Sequence, residues 1–163
     1  MGMFDLLKTL DDADIKYVLV GGLAVALHGY QRVTMDVDVV LAMDEENVRQ
    51  FINCAKVADL RPMLPVDINA LAQPELIEQW YHEKGMLAFS LRGPDTMATV
   101  MDVLVKSVVP FSDLRRDATI IDIGTLKVPI ASIDHLILMK TGTGRSKDMI
   151  DIEELRKIQA ATP

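Results

Sequence analysis

A single cysteine, Cys54, stands in 163 residues. That excludes an internal disulfide framework and suits a reducing, cytoplasmic setting. Basic residues are also in deficit: 17 Lys and Arg against 24 Asp and Glu leave a net charge of −7. Tight binding to a nucleic-acid backbone needs clustered cations, so this balance argues against it. No apolar run approaches the roughly 18 residues that suggest a membrane helix. The opening MGMFDLLKTLDDAD has no basic n-region and soon turns acidic, so no targeting segment is expected. Leu6 stands where a myristoylation signal after Gly2 wants Ser or Thr.

Familiar catalytic signatures are missing as well. There is no GKS or GKT of a Walker loop, no GxGxxG and no GxSxG elbow. His28, His82 and His135 are not spaced with Cys or acidic residues as zinc ligands are, so they read as structural or surface residues. Cys54 falls on the apolar side of a helical stretch and reads as core, and the ten methionines are scattered core filler. Trp80 and Tyr81 could line a groove, although nothing distinguishes them from packing residues. No internal repeat, low-complexity tract or long linker divides the chain.

Half the residues are apolar and a quarter charged, which is globular composition. The length fits one domain spanning residues 1–163. MFDLLKTLDDADI predicts a short amphipathic helix with Phe4, Leu6, Leu7 and Leu10 near one face. KYVLV predicts a buried strand closed by Gly21-Gly22, followed by a helix over LAVALHGY that ends near Gly29. VTMDVDVVLA predicts a second strand. DEENVRQFINCAKVADL is the clearest helix, with acids opening it and Val48, Phe51, Ile52, Ala55 and Leu60 at helical spacing. Residues 61–74 hold three prolines and read as irregular, and PELIEQWYHEKG as a helix. MLAFSLR and MATVMDVLVKS, around Gly93-Pro94-Asp95, predict a hairpin, and ATIIDI with LKVPI another around Gly124. Ser132 caps a helix over IDHLILMKTG that stops at Gly142, and a last helix runs from about Ser146. The expected class is α+β, a twisted mixed β-sheet flanked by helices.

Asp36 and Asp38 carry the strongest chemical signal. Residues i and i+2 of a strand face one side, about 6–7 Å apart, and Val37, Val39 and Val40 mark the strand as buried. Like charges held together there repel and are costly to desolvate, unless a divalent cation such as Mg²⁺ supplies the missing charge. Asp102, alone among the apolar residues of TVMDVLV, is a third carboxylate in the same kind of setting. Should its strand adjoin the first, three acids could serve two ions about 3.5–4 Å apart that clamp a phosphoryl transfer.

Gly21-Gly22 lies at a strand-to-helix junction, where free N–H groups and the absence of Cβ admit a phosphate; a plain tight turn has the same residues. In MKTGTGRSKDMID, Lys140, Arg145, Lys147, Asp148 and Asp151 admit two readings. The cations could neutralise a triphosphate tail, or the charges could simply follow helix-end preferences. Arg32, just before the DxD strand, is a further candidate for phosphate contact.

In combination, YVLVGGLAVALHG, RVTMDVDVVL and VMDVLV resemble the polymerase-β-like nucleotidyltransferase superfamily, with 13 residues between Gly22 and Asp36. The tail SIDHLILMKTGTGRSKDMIDIEEL resembles the small prokaryotic branch that includes the AbiEii-type toxins. The resemblance covers roughly residues 15–157. It implies a nucleotidyltransferase fold, with Gly21 and Gly22 against the nucleotide phosphates and Asp36, Asp38 and Asp102 holding Mg²⁺. Asp102 would also assist deprotonation of the acceptor. Lys140 and Asp148 match the tail motif, where nucleotide or catalytic roles are implied, and Arg32 and Arg145 join the nucleotide-binding candidates. Leu23 departs from the pattern, since many relatives place a Ser or Thr within or just after the glycine pair.

The implied activity is Mg²⁺-dependent transfer of a nucleoside monophosphate from an NTP, ATP included, to a hydroxyl of RNA, protein or a small molecule. A toxin-like role would use the macromolecular acceptors. The rival reading is a catalytically silent nucleotide-binding or toxin–antitoxin partner module of the same fold. A sugar transferase that uses DxD for its nucleotide sugar is a third, for which 163 residues is short. No membrane partner is expected.

Overall fold

The computed structural model describes residues 2–95 and 99–162. Seven strands form one mixed sheet: β1 (Tyr17–Val20), β2 (Asp36–Leu41), β3 (Arg61–Pro62), β4 (Ala88–Arg92), β5 (Val100–Leu104), β6 (Thr119–Ile123) and β7 (Leu126–Ile130). Their spatial order is β3-β4-β5-β2-β1-β7-β6. The two predicted hairpins, β4–β5 and β6–β7, are antiparallel, whereas β2–β5 and β1–β7 pair in parallel. Around the sheet lie α1 (Met3–Asp12), α2 (Gly21–Leu27), α3 (Glu45–Val57), α4 (Pro74–Lys84), α5 (Phe111–Arg116), α6 (Ile133–Lys140) and α7 (Ser146–Ala161). The α+β mixed architecture is as expected. The beginning of the expected strand MATVMDVLVKS, Met97 and Ala98, lies outside the described residues.

Local sequence explains most boundaries. All four residues of β1 are buried, as a central strand covered on both faces requires. The Asp44 carboxylate accepts from the Asn47 N–H to start α3, and Ser132 accepts from the His135 N–H to start α6. Pro74 opens α4, and Gly85 closes it in the left-handed conformation. Leu6, Leu7 and Leu10 of α1 are fully buried. Phe4, expected on the same face, is half-exposed, because it sits roughly 100° round the helix from the middle of that stripe. The proline-rich stretch holds β3 and a 3₁₀ turn over Ile68–Ala72. Helix α5 was not anticipated: six residues after Pro110 are too few to display a period.

Register decides what the sheet presents. Asp38 pairs with Asp102 across β2–β5, Asp102 with Ser90 across β5–β4, and Asp38 with Val20 across β2–β1. One transverse row therefore reads Ser90, Asp102, Asp38, Val20, and the chain turns into Gly21 immediately after Val20.

Candidate active site

The parallel pairing of β2 with β5 brings two of the three carboxylates expected to converge, Asp38 and Asp102, to opposed positions, while Asp36 lies opposite Val100. Burial is the main cause that pushes the Asp38 carboxyl up, to about 7. The adjoining Asp102 adds to it as a charge and as a hydrogen-bond partner, and Asp36 adds a further charge, while Lys140 opposes the rise. Asp36 stands at the exposed first position of β2, on the same side of the strand. Ser90 Oγ donates to Asp102 Oδ1, which fixes that carboxylate from the β4 side. Ser90 was missed in the sequence, where a serine in an apolar strand carries no signal until its register is known.

Gly21 has φ +71°, and a Cβ built on it would lie 2.0 Å from Asp38 Oδ2. Both the conformation and the contact require glycine. A Cβ on Gly22 would lie 3.1 Å from Thr34 Oγ1 and 3.3 Å from Arg32 Cζ. Arg32 and Thr34 are partly buried while the intervening Val33 and the following Met35 are exposed. Arg32 and Thr34, in the loop before β2, thus close on Gly22, as Asp38 closes on Gly21. Thr34 was also missed, since a threonine in a loop carries no signal of its own.

The tail motif forms a second, adjoining cluster. Lys140 Nζ lies 3.2 Å from Asp148 and 3.0 Å from Asp151. Arg32 pairs with Asp151, and Arg145 Nε lies 2.8 Å from Asp148. Thr143 Oγ1 donates to Asp148 at 2.7 Å. Both carboxylates are 1 % exposed. Burial pulls the Asp148 carboxyl upward, but the hydrogen bond from Thr143 and the charge of Lys140 outweigh it and hold it below the usual range. Arg32, Lys140 and Arg145 are therefore already ion-paired, and Lys140 also stands in the last turn of α6 and Asp148 in the first turn of α7, where the helix-end reading puts them. Lys147, the remaining cation of that motif, is exposed.

Among the described residues, no three His, Cys, Asp or Glu side chains stand as a ready-made ligand cluster. The donor set nonetheless fits a hard divalent cation. Asp148 and Asp151 take the ion pairs with Arg32, Lys140 and Arg145, whereas Asp36, Asp38 and Asp102 form no ion pair among the described residues and offer the hard oxygen donors that such an ion takes.

The family model described as "Nucleotidyltransferase of unknown function (DUF6036)" matches residues 2–160. The chain belongs to that family. Solved structures of other nucleotidyltransferases share its fold. The lincosamide antibiotic adenylyltransferase LnuA, bound to lincomycin, has a TM-score of 0.63 at 16 % identity, over 96 % of this chain and 95 % of its own. ANT(2″)-Ia, in complex with adenylyl-2″-tobramycin, has a TM-score of 0.55 at 13 % identity, over 98 % and 93 %. An antigenic nucleotidyltransferase-like protein from Paracoccidioides brasiliensis has 0.55 at 19 %, over 96 % and 72 %. At these identities the similarity shows the fold. No curated protein sequence matches the chain. Among the described residues of this nucleotidyltransferase, no helix is long and apolar enough to cross a membrane.

Proposed function

We propose that this nucleotidyltransferase moves a nucleoside monophosphate from an NTP, held with Mg²⁺, to a hydroxyl of a small acceptor, releasing pyrophosphate. The observation that carries the reading is the opposed pair Asp38 and Asp102, with Asp38 pressed against Gly21. Asp36, Asp38 and Asp102 would hold the metal. When bound, the ion supplies charge neutralisation to the phosphate oxygens. Gly21 and Gly22 would turn their backbone N–H groups to a phosphate at the same edge. Asp102, kept as an acceptor by Ser90, would take the proton of the acceptor hydroxyl as its oxygen bonds to the α-phosphorus. The bond from that phosphorus to the bridging oxygen breaks, and its electrons leave with pyrophosphate. The exposed Lys147 and the 60 %-exposed Arg145 would meet the outer phosphates, while the buried Lys140 moderates the acidic pair. Catalysis would rest on positioning and electrostatics.

A small hydroxylated acceptor is supported by LnuA and ANT(2″)-Ia, whose names and bound molecules are those of antibiotic-modifying enzymes, and by the acidic charge of −7. A second reading, toxin-like modification of RNA or protein, is supported by the AbiEii-like tail, which is tied to the glycine edge through Arg32–Asp151.

The test is incubation with MgCl₂, each of four α-labelled NTPs, and in turn aminoglycosides, lincosamides, total RNA and a protein extract. Label transfer to a small molecule is expected, with Asp38→Asn at background. Transfer to RNA or protein alone would replace the first reading by the second. Nucleotide binding without any transfer would leave a silent binding module.

A further inference from the structure

The Gly-Gly turn is followed by Leu23, which is buried and brings it no hydroxyl. We propose that Thr34 supplies one from another segment and is a phosphate-binding residue of the nucleotide site. The inference rests on the nucleotidyltransferase reading and deepens it.

Three observations converge. Thr34 Oγ1 lies directly over the Gly22 α-carbon, 3.1 Å from where a Cβ would stand, so the hydroxyl and the bare backbone form one small surface. The Arg32 guanidinium borders the same surface, its Cζ 3.3 Å and Nη2 3.4 Å from that point, while its Nη1 is committed to Asp151. The partly buried Thr34 hydroxyl has no hydrogen-bond partner among the described residues, so its donor and acceptor are free to meet a ligand.

Geometry names the ligand class. Thr34 Oγ1 borders Gly22 as Asp38 Oδ2 borders Gly21, so the hydroxyl and the acidic pair flank successive residues of one turn. One polyphosphate could therefore lie with one phosphate at the Thr34–Gly22 surface and the next beside the carboxylates. A neutral hydroxyl donating to a phosphate oxygen makes a short, charge-assisted bond, and a neighbouring guanidinium edge reinforces it.

The experiment titrates Mg²⁺–tripolyphosphate, which carries no base, and the four Mg²⁺–NTPs into the full chain by calorimetry. Thr34→Val keeps the shape and removes the hydroxyl, so it should weaken tripolyphosphate and NTP binding about tenfold, as loss of a hydrogen bond to a charged group does. Thr34→Ser should stay within about twofold of wild type, and Thr34→Ala should match Thr34→Val. Unfolding midpoints without ligand check that each variant is folded; if Thr34→Val is not, Thr34→Ala against Thr34→Ser decides. Wild-type affinity in Thr34→Val, or weakening in Thr34→Ala alone, would mean that the side chain merely packs on Gly22 and would overturn the proposal. Absence of NTP and tripolyphosphate binding by the wild type is a different result: it removes the nucleotidyltransferase substrate itself, and the role of Thr34 with it.

Discussion

Asp38 and Asp102 occupy opposed positions on parallel neighbours β2 and β5, so two acidic side chains share one patch of the sheet. Without a cation, the cheapest response is to keep a proton on Asp38, and burial raises its carboxyl from 3.8 to about 7, with Asp102 assisting. A carboxyl raised on folding favours the native state below its unfolded value and loses that contribution as pH rises toward the folded one. The metal-free protein should therefore lose stability between about pH 4 and 7 relative to Asp38→Asn, which has no proton to release. Added Mg²⁺ should raise the wild-type midpoint more at pH 8 than at pH 5, since it binds the ionised pair. Thermal melts of both proteins across pH, with and without MgCl₂, check this; parallel wild-type and Asp38→Asn curves would refute it.

Gly21→Ala tests the contact between the turn and Asp38. An alanine there meets Asp38 Oδ2 at 2.0 Å while strained by φ +71°. Gly124 has φ +61° with nothing within 4 Å, so Gly124→Ala carries the backbone strain alone, about 1–2 kcal/mol. Gly21→Ala should cost at least about 2 kcal/mol more than Gly124→Ala in urea unfolding, because a carboxylate must also move. It should abolish Mg²⁺–NTP stabilisation, which Gly124→Ala leaves intact. Equal costs in the two variants would mean that Asp38 has room to retreat.

What was legible in the sequence follows from where periodicity and composition speak. The Asp36–Asp38 pair, the Gly-Gly turn and the Asp102 strand could be read because each breaks a local rule: charges in valine-rich strands, or a glycine pair ending an apolar run. Their adjacency could not be derived from composition or spacing, since it depends on β5 pairing in parallel with β2 across about sixty residues. Ser90 and Thr34 break no rule, because a serine in a strand and a threonine in a loop are ordinary. Lys140 and Asp148 also read as helix-end charges, and i,i+3 and i,i+4 reasoning has no means of showing that Asp151 pairs with Arg32 from 119 residues away.

Ser90→Ala should separate position from packing at Asp102. The hydroxyl donates to one Asp102 oxygen, and its loss frees that carboxylate to rotate within the row. Stability should fall by about 1 kcal/mol, the usual net value of such a bond. Half-saturation by Mg²⁺ should rise roughly tenfold, as when a group that orients a metal ligand is removed. Ser90→Thr keeps the hydroxyl and suits a strand, so it should restore metal affinity. Melting midpoints against MgCl₂ concentration give the answer. Unchanged half-saturation in Ser90→Ala would show that Asp102 needs no support from β4.

Lys140→Met addresses the buried cluster beneath the glycine edge. The lysine is 9 % exposed, between two carboxylates that are each 1 % exposed, and the methionine keeps its apolar length without the ammonium. Removing one partner of a buried pair leaves the other charge stranded, at about 3–5 kcal/mol; Arg32 and Arg145 still serve Asp151 and Asp148, so the lower end is expected. Arg145→Ala removes a 60 %-exposed side chain and should cost about 1 kcal/mol or less. The pH dependence carries the sign. Asp148 is held below its usual range, so its contribution is present above about pH 4 and is lost as pH falls through its folded value. Lysine contributes to that depression, so the stability gap between wild type and Lys140→Met should narrow on acidification. Urea unfolding at pH 7 and near pH 3 measures it: a gap that stays constant would assign the loss to packing, and a gap below about 1 kcal/mol at pH 7 would show the two arginines holding the cluster without the lysine.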